Sequence, residues 1–254
     1  MLFRSIDKTP IRQGNNGSQL RDRLKTLARV RVITHPLGKL EPRFLRICRP
    51  SPSAGPRSGH RILAIASSTG GPQALAQILG TLPADLPCGV VIVQHISDGF
   101  DRGLADWLND QSDLTVKLAI DGEPIQHGVA YIAPTNLQMR VGIGDRIRLT
   151  DEPPSDGQKP SGSILFDSVA DVYGSCAVCV ILTGMGRDGA EGLRRVKAEG
   201  GIVIAQDEES CVVFGMPKAA IELGVVEIVR PLDEIPAAIL SALDHVNAGK
   251  EAGR

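Results

Sequence analysis

The sequence predicts an α/β fold: a doubly wound, mostly parallel sheet with helices on both faces and a small antiparallel extension. Three observations predict it. From residue 61 onward, short and continuously apolar segments alternate with segments of helical periodicity, which is typical of parallel strands covered on both faces. Residues 114–149 instead show short segments of alternating polarity, which favours antiparallel strands. A chain of 254 residues, of which 42% are hydrophobic, is also large and apolar enough to bury a sizeable core.

The elements follow one another along the chain. The predicted strands are short apolar runs at residues 62–66, 89–94, 177–182, 201–205 and 225–229. The predicted helices have apolar residues three and four positions apart, which gives each an inward face. They are a helix that begins at Pro72 and carries Leu75, Ile78, Leu79 and Leu82, a helix with Phe100, Leu104, Trp107 and Leu108, a helix over residues 188–199, and a last helix with Ile235, Ile239, Leu243 and Val246. In the middle region, residues 142–145 predict the turn of a hairpin.

Charge divides the chain into two parts. Residues 1–60 hold 13 Lys and Arg against 3 Asp and Glu, a net charge of +10, so residues 61–254 carry 15 against 26, a net charge of −11. Pro, Ser and Gly crowd residues 50–59, which favours a flexible joint. We therefore predict a basic tail and flexible linker over residues 1–60 and a globular domain over residues 61–248. The spacing of apolar residues in 18–32 favours a basic helix. Such a helix is either an arm for an acidic partner, a membrane surface or nucleic acid, or a solvated tether.

Composition argues against several classes of protein. The formal net charge is −1, which argues against a globally basic nucleic-acid-binding protein. The longest apolar run, residues 176–182, has seven residues, far fewer than the roughly 20 that span a bilayer. The first three residues, Met-Leu-Phe, lead directly into polar and basic residues, unlike a signal peptide. Five Cys at irregular spacing favour a reduced cytoplasmic protein, and no cluster of His and Cys predicts a metal site.

Three polar side chains follow the ends of predicted strands. Ser68 follows the first strand, His95 follows the second, and Asp188 comes shortly after the strand that ends at residue 182. Because ligands of open α/β sheets bind outside the carboxyl ends of the strands, we expect these residues to converge. A Ser, a His and an Asp in one crevice supply a nucleophile, a base and a group that orients the base. Thr69 and Gly70 then lie at a helix N-terminus, where free backbone N–H groups can hold a developing oxyanion.

Each of these residues also has a simpler structural interpretation. Ser68 can cap the helix that Pro72 begins. His95 can be a strand-end histidine whose two nitrogens are both satisfied. Asp188 can cap the helix over residues 188–199, where a carboxylate suits the helix dipole.

A different motif competes for the same region. Residues 184–189, Gly-Met-Gly-Arg-Asp-Gly, form a GxGxxG pattern between a strand and a helix, and Asp207 ends the next strand. This layout is that of a dinucleotide-binding site, in which glycines admit the pyrophosphate and the acid holds the ribose. Against it, Asp188 puts a carboxylate inside the turn that would bind phosphate. A dinucleotide-dependent oxidoreductase therefore stands as the alternative.

Several motifs, in order along the chain, resemble the chemotaxis protein-glutamate methylesterases, the CheB family. The resemblance runs over roughly residues 61–243. The motifs that carry it are Ala-Ser-Ser-Thr-Gly-Gly at 66–71, Val-Gln-His-Ile at 93–96, Asp-Gly-Glu-Pro at 121–124, Ala-Tyr-Ile-Ala-Pro at 130–134, Leu-Thr-Gly-Met-Gly-Arg-Asp-Gly at 182–189 and Cys-Val-Val-Phe-Gly-Met-Pro at 211–217.

The resemblance implies a function and a role for each site residue. It makes Ser68 the nucleophile, His95 the general base and Asp188 its partner, and it gives Thr69 and the backbone of Met185 a place in the oxyanion hole. The family hydrolyses methyl esters on glutamate side chains of chemoreceptors, and many members also deamidate receptor glutamines. The expected partners are therefore the methylated cytoplasmic domains of chemoreceptors. The enzyme is expected to act in the cytoplasm as a monomer and to need no cofactor. A catalytically idle binding module of the same fold is a further alternative.

The chain departs from the family pattern in two places. The family usually carries an N-terminal receiver domain of about 120 residues, a full small domain by size. Here a segment of only 60 residues, with a net charge of +10, precedes the catalytic part. We therefore expect the esterase to be open without phosphorylation. The second departure is Gln138, where the family commonly has a His, and this substitution is expected to alter contacts on the substrate side.

Overall fold

The main feature of the fold is a seven-stranded parallel sheet, seen in a computed structural model that describes residues 60–251. Its strands lie in the order β3-β4-β2-β1-β7-β8-β9, and every neighbouring pair is parallel. Their bounds are β1 Ile62–Ser67, β2 Gly89–Gln94, β3 Thr115–Leu118, β4 Val129–Ile132, β7 Ala177–Ile181, β8 Ile202–Gln206 and β9 Ile228–Arg230. The predicted fold class is confirmed. The predicted tail and linker, together with the basic helix over residues 18–32, lie outside the described residues apart from His60.

Helices cover both faces of this sheet. They are α1 Gly71–Leu79, α2 Asp101–Asp110, α3 Gly162–Tyr173, α4 Ala190–Ala198, α5 Met216–Glu222 and α6 Ile235–Glu251, with short 3₁₀ turns at Gly174–Cys176 and Leu232–Glu234. Alternate residues of β1 face opposite ways, so Leu63 packs in the core with α1, α2 and α6, whereas Ala64 packs in the core with α3, α4 and α5. All six residues of β1 are buried, which explains why the strand is apolar without alternation.

The antiparallel extension is smaller than the sequence predicts. Strands β5 Gln138–Gly142 and β6 Arg146–Thr150 form a two-stranded antiparallel hairpin around the predicted turn. The preceding part of residues 114–149 instead supplies β3 and β4, which join the main sheet in parallel. The alternating polarity of β3 has a physical reason: it is the edge strand, so its outer residues are only partly covered.

Other expectations differ in detail. Leu104 and Leu108 are buried on α2 as predicted, but Phe100 precedes the helix and is exposed, and Trp107 is exposed as well. Helices α3 and α5 were not predicted. No helix of residues 60–251 is long and apolar enough to cross a membrane.

The strand order determines where a site can form. After β2 the chain continues to one side of the sheet, and β7 returns on the other side of β1, so the order β2-β1-β7 brings the carboxyl ends of these three strands together. This is the kind of topological switch at which open α/β sheets bind ligands. Ser68, His95 and the segment that leads to Asp188 all follow these three strands.

Candidate active site

Main-chain hydrogen bonds continue beyond the strand ends and bring the three predicted segments together. The Ser68 N–H donates to the carbonyl of Thr183 (3.0 Å), which follows β7. The His95 N–H donates to the carbonyl of Ser67 (3.0 Å), at the end of β1. The predicted convergence of the segments after β1, β2 and β7 is therefore present in the structure.

The segment after β7 approaches Ser68 so closely that a glycine is required. A β-carbon on Gly184 would lie 2.7 Å from the Ser68 β-carbon and 2.4 Å from the sulfur of Met216. Both distances are shorter than carbon and sulfur atoms tolerate. Gly184 thus allows the segment after β7 to pack against the turn after β1. Ser68 in that turn stays partly exposed.

Ser68 does not cap helix α1. The residue at the N-cap is Gly70, in the left-handed region (φ 83°), and no side chain caps this helix. Within the described part of the chain, the Ser68 hydroxyl makes no hydrogen bond. The backbone N–H groups of Thr69, Gly70 and Met185 likewise have no acceptor among these residues. The turn therefore presents a free hydroxyl and two free amide donors at a helix N-terminus, as an oxyanion site requires. Met185, in the segment after β7, has the third free amide.

A buried amide, Gln94, connects the Ser68 turn to the histidine segment. Its Nε2 donates to the carbonyls of Ser68 (2.9 Å) and His95 (2.8 Å), and its Oε1 accepts from the Ser67 hydroxyl (2.6 Å). A β-carbon on Gly71 would lie only 2.0 Å from that Oε1. Both ends of the amide are thus fixed, and so is the spacing between the main chains of Ser68 and His95.

His95 and Asp188 form a buried pair. The imidazole Nε2 lies 2.8 Å from Asp188 Oδ2, and the two side chains are 8% and 3% exposed. Burial on this scale keeps water from competing for the carboxylate. The two residues that the sequence predicts as base and partner are therefore in direct contact.

The Asp188 carboxylate is held by the N-terminus of α3, an element that the sequence analysis missed. It accepts hydrogen bonds from the Ser161 hydroxyl (2.7 Å), the Gly162 N–H (2.6 Å) and the Ser163 N–H (3.1 Å). Asp188 does not cap α4, whose N-cap is Gly189 with no side-chain bond. Burial alone raises the pKa of Asp188, but the hydrogen bonds from His95, Ser161 and Gly162 outweigh it and hold that pKa below its usual value. Asp188 is therefore an ionised acceptor at neutral pH.

An ionised Asp188 determines the tautomer of His95. A carboxylate can only accept, so Nε2 must carry the proton that it donates to Oδ2. In the neutral ring, Nδ1 is then the nitrogen without a proton. It is a buried side-chain atom that has no hydrogen-bond partner among the described residues, so His95 is not the fully satisfied strand-end histidine of the simpler interpretation. In the neutral ring, this unpaired nitrogen can accept a proton.

Gln138 does not contact the substrate side. It is fully buried, its Oε1 accepts from the Ser161 N–H (2.8 Å), and its Nε2 donates to the carbonyls of Pro153 (3.1 Å) and Gln158 (3.3 Å). The expectation that this departure from the family pattern alters substrate-side contacts is therefore not supported. Gln138 instead supports the residue that holds Asp188.

The glycine-rich turn of residues 184–189 does not form a dinucleotide site. The Gly184 N–H donates to the carbonyl of Val213, and the Gly189 N–H donates to the Ser163 hydroxyl. These amides are consequently not available to a pyrophosphate. Asp207 accepts from the N–H and hydroxyl of Ser210, so the acid expected to hold a ribose is already engaged. The oxidoreductase alternative loses its structural basis.

Two exposed apolar side chains lie on the segments that form the site. Met185 is 74% exposed and Val212 is 69% exposed. Val212 packs over Gly70, where an added β-carbon would meet it at 2.7 Å.

Within residues 60–246, no group of three or more His, Cys, Asp or Glu can hold a metal ion.

Two sets of residues were missed from the sequence. The apolar stripe of α3, in which Leu165, Phe166, Val169 and Val172 are buried, has the helical spacing that would have predicted the helix. With that helix in place, Ser161 would have been identified as its N-cap. No local signal predicts the partners of Gln94, because Ser67 and Ser68 belong to a different strand and the turn that follows it.

Comparison with known proteins supports the motif-based resemblance. The model of the CheB methylesterase family matches residues 63–239. The chain is 46% identical over 228 residues to protein-glutamate methylesterase/protein-glutamine glutaminase 2 of Anaeromyxobacter dehalogenans, covering 89% of this chain and 64% of that protein. It is 51% identical over 174 residues to the corresponding protein of the group 3 operon of Rhizobium meliloti, covering 68% of this chain and 49% of that protein.

A solved structure has the same fold. The crystal structure of the Thermotoga maritima CheB methylesterase catalytic domain superimposes with a TM-score of 0.69 at 42% sequence identity, covering 72% of this chain and 99% of that one. The chain spans about half to two thirds of the length of the curated relatives that it matches.

Proposed function

The chain belongs to the CheB methylesterase family, and we propose that residues 61–248 hydrolyse methyl esters of glutamate side chains in chemoreceptor-type proteins. In this proposal Ser68 is the nucleophile, His95 the general base and Asp188 the group that orients the base. Thr69, Gly70 and Met185 supply main-chain donors to the oxyanion. The reaction needs no cofactor.

The observation that carries this proposal is the state of the His95 ring. One nitrogen is held by Asp188 at 2.8 Å, and the other is buried and has no partner in the described part of the chain. A buried nitrogen without a partner is costly in a folded protein unless a ligand or a reaction uses it. Proton transfer from a serine hydroxyl is the use that the neighbouring turn supports.

The first half of the reaction forms an acyl-enzyme. Ser68 Oγ attacks the carbonyl carbon of the ester while its proton passes to His95 Nδ1, and Asp188 stabilises the resulting imidazolium. The carbonyl oxygen becomes negative in the tetrahedral intermediate, where the free amide donors stabilise it. The bond to the methoxy oxygen then breaks, and the imidazolium returns its proton so that methanol leaves.

The second half regenerates the enzyme. Water attacks the acyl carbon as it gives a proton to Nδ1, and the acyl–Oγ bond breaks as that proton returns to Ser68. The product is the glutamate side chain, which ionises in water.

Deamidation of receptor glutamines is a second candidate activity. The relatives carry the name protein-glutamine glutaminase beside protein-glutamate methylesterase. An amide gives the same acyl-enzyme with ammonia as the leaving group, so one Ser, His and Asp set can serve both reactions. The partners in this proposal are the methylated cytoplasmic domains of chemoreceptors, and the enzyme acts on them as a monomer in the cytoplasm.

Methanol release from receptor membranes that carry labelled methyl groups tests the proposal. We expect the wild type to release methanol and Ser68→Ala to release none above background. Ser67→Ala, which alters the neighbouring hydroxyl, should stay far more active than Ser68→Ala. If the folded wild type releases nothing, the chain is an idle binding module; if Ser67→Ala alone abolishes release, Ser68 is the wrong nucleophile.

A further inference from the structure

We propose that Ser161 is a positioning residue of this site, acting through Asp188 to fix the orientation and the proton affinity of the His95 ring. This inference rests on the proposed function, because it assumes that His95 is the base. Ser161 is fully buried at the start of α3.

The hydrogen-bond geometry separates this role from simple helix capping. The Ser161 hydroxyl has one proton, and that proton is directed to Asp188 Oδ1 at 2.7 Å. As a cap the same oxygen accepts from the Ile164 N–H at 3.5 Å, which is at the outer limit of a hydrogen bond. The stronger of the two interactions is therefore the one with the carboxylate.

The two carboxylate oxygens have different roles. Oδ2 accepts from His95 and from the Gly162 N–H, whereas Oδ1 accepts from Ser161 and from the Ser163 N–H. Ser161 thus holds the oxygen that does not face the ring and prevents the carboxylate from rotating. Its own N–H is fixed by the buried Gln138 (2.8 Å), so the support has a rigid base.

The hydrogen bond from the Ser161 hydroxyl to Asp188 also limits how strongly the carboxylate attracts a proton on His95. In the described part of the chain, the titratable group that faces this carboxylate is His95, and α3 presents one hydroxyl and two main-chain amides to it. Each of these donors draws negative charge away from Oδ2. Removal of the Ser161 hydroxyl leaves more charge for the imidazolium, so His95 should hold its proton to higher pH.

Ser161→Ala tests the proposal against Ser168→Ala as a matched control. Ser168 is also a buried serine of α3, but its hydroxyl donates to the carbonyl of Leu165 and accepts from the Val141 N–H. Both variants remove one buried hydroxyl from the same helix, and only Ser161→Ala touches Asp188. The measurements are kcat and KM on a peptide that contains a glutamate methyl ester, and NMR titration of the His95 ring protons, assigned with His95→Ala.

We expect Ser161→Ala to lower kcat about tenfold, the size of one hydrogen bond to a charged group, with little change in KM. The midpoint of the His95 titration should move to higher pH. Ser168→Ala should change neither kcat nor this midpoint. Both variants should lower the Tm. Ser161→Thr and Ser161→Val form a second pair. Their side chains are nearly isosteric with each other, and only threonine keeps the hydroxyl, so this pair tests the effect of the hydroxyl if Ser161→Ala does not fold.

An unchanged midpoint, or a shift to lower pH, would overturn the proposal, because Ser161 would then only cap the helix. Equal kcat values for Ser161→Ala and Ser168→Ala would overturn it as well. Failure of the proposed function gives a different result: the wild type would not hydrolyse the ester, while the NMR titration would still show whether Ser161 acts on His95 through Asp188.

Discussion

The two sides of the site differ in how completely their polar groups are paired. On the side of the proposed base His95, the base side, both oxygens of Asp188 accept two hydrogen bonds each, and the carboxylate is 3% exposed. On the side of the proposed nucleophile Ser68, the nucleophile side, the Ser68 hydroxyl and the amides of Thr69, Gly70 and Met185 make no hydrogen bond with the described residues. Folding completes the first set of interactions and leaves the second for a reacting molecule.

This difference separates stability from activity. A buried and fully paired carboxylate contributes to the fold, and breaking its interactions leaves donors unsatisfied. Free groups at the mouth of the site contribute little to the fold, and their removal should leave the protein intact. Substitutions on the two sides should therefore have different effects on stability even where they have similar effects on the rate.

The largest effect on the rate is expected from the two residues that exchange the proton in the proposed mechanism, one on each side of the site. Ser68→Ala and His95→Ala should each reduce kcat by about 10⁴-fold or more, because members of such a set act as a unit. For the same reason the double variant should be no slower than either single one. Methanol release measures the rate, and thermal unfolding should show that Ser68→Ala keeps the Tm of the wild type. A multiplicative loss in the double variant would show that the two residues act independently.

The next largest effect is expected from Asp188→Asn, which should lower both the stability of the fold and the rate. The amide group cannot accept from four donors, so one or more of the Ser161, Gly162 and Ser163 donors loses its partner, at a cost of about 1–3 kcal/mol each. The rate should fall by about 10³-fold or more, since His95 loses its tautomer and its charge partner. Chemical unfolding and methanol release together check this prediction. A variant as stable as the wild type would contradict the comparison.

The stability loss of Asp188→Asn should also depend on pH. The hydrogen bonds that Asp188 accepts hold its folded pKa below the ordinary value, despite burial. Its contribution is therefore complete above about pH 4, the ordinary value of an aspartate, and is lost as pH falls through the lower folded pKa. The unfolding free energies of wild type and Asp188→Asn should thus converge below about pH 4. A constant difference down to pH 2 would show that ionised Asp188 does not stabilise the fold.

The smallest effect is expected from Gln94→Leu, which tests what connects the two sides. The substitution leaves the Ser67 hydroxyl and the carbonyls of Ser68 and His95 without their partner. We expect a loss of about 1–3 kcal/mol in the free energy of unfolding and a moderate fall in kcat, because the spacing of nucleophile and base is no longer fixed.

Gln206→Leu is the matched control for Gln94→Leu. Gln206 is a buried glutamine at the end of β8, and it accepts from the Thr183 N–H and donates to the carbonyl of Ser210. It has no contact with the carbonyls of Ser68 or His95. A comparable stability loss in both variants, with a larger fall in kcat for Gln94→Leu, is the expected result; equal losses of kcat would show that Gln94 has no special role.

The nucleophile side was largely predictable from sequence because its signals are local. Ser68 follows an apolar strand, Pro72 begins a helix, and glycines mark the turn between them. Residues of one turn determine one another's positions, so their order in the chain is sufficient. The hairpin turn of residues 142–145 was predicted for the same reason.

The base side was predictable only in part. The sequence indicated that His95 and Asp188 follow neighbouring strands, but it gave no indication that α3 holds the carboxylate. It also suggested a substrate-side role for Gln138, which is buried behind Ser161. These contacts join residues that are 23 to 93 positions apart, and such pairs are set by how helices and strands pack.

The sequence by itself therefore determined the fold class, the edge of the sheet where the site lies and the identity of Ser68, His95 and Asp188 as candidates, because periodicity and strand-end residues are local properties. Only the tertiary structure decided that Asp188 lies at the N-terminus of α3, that its ionised state puts the proton on Nε2 and that Nδ1 is left without a partner. The physical reason is that burial and hydrogen-bond partners depend on atoms supplied by distant segments.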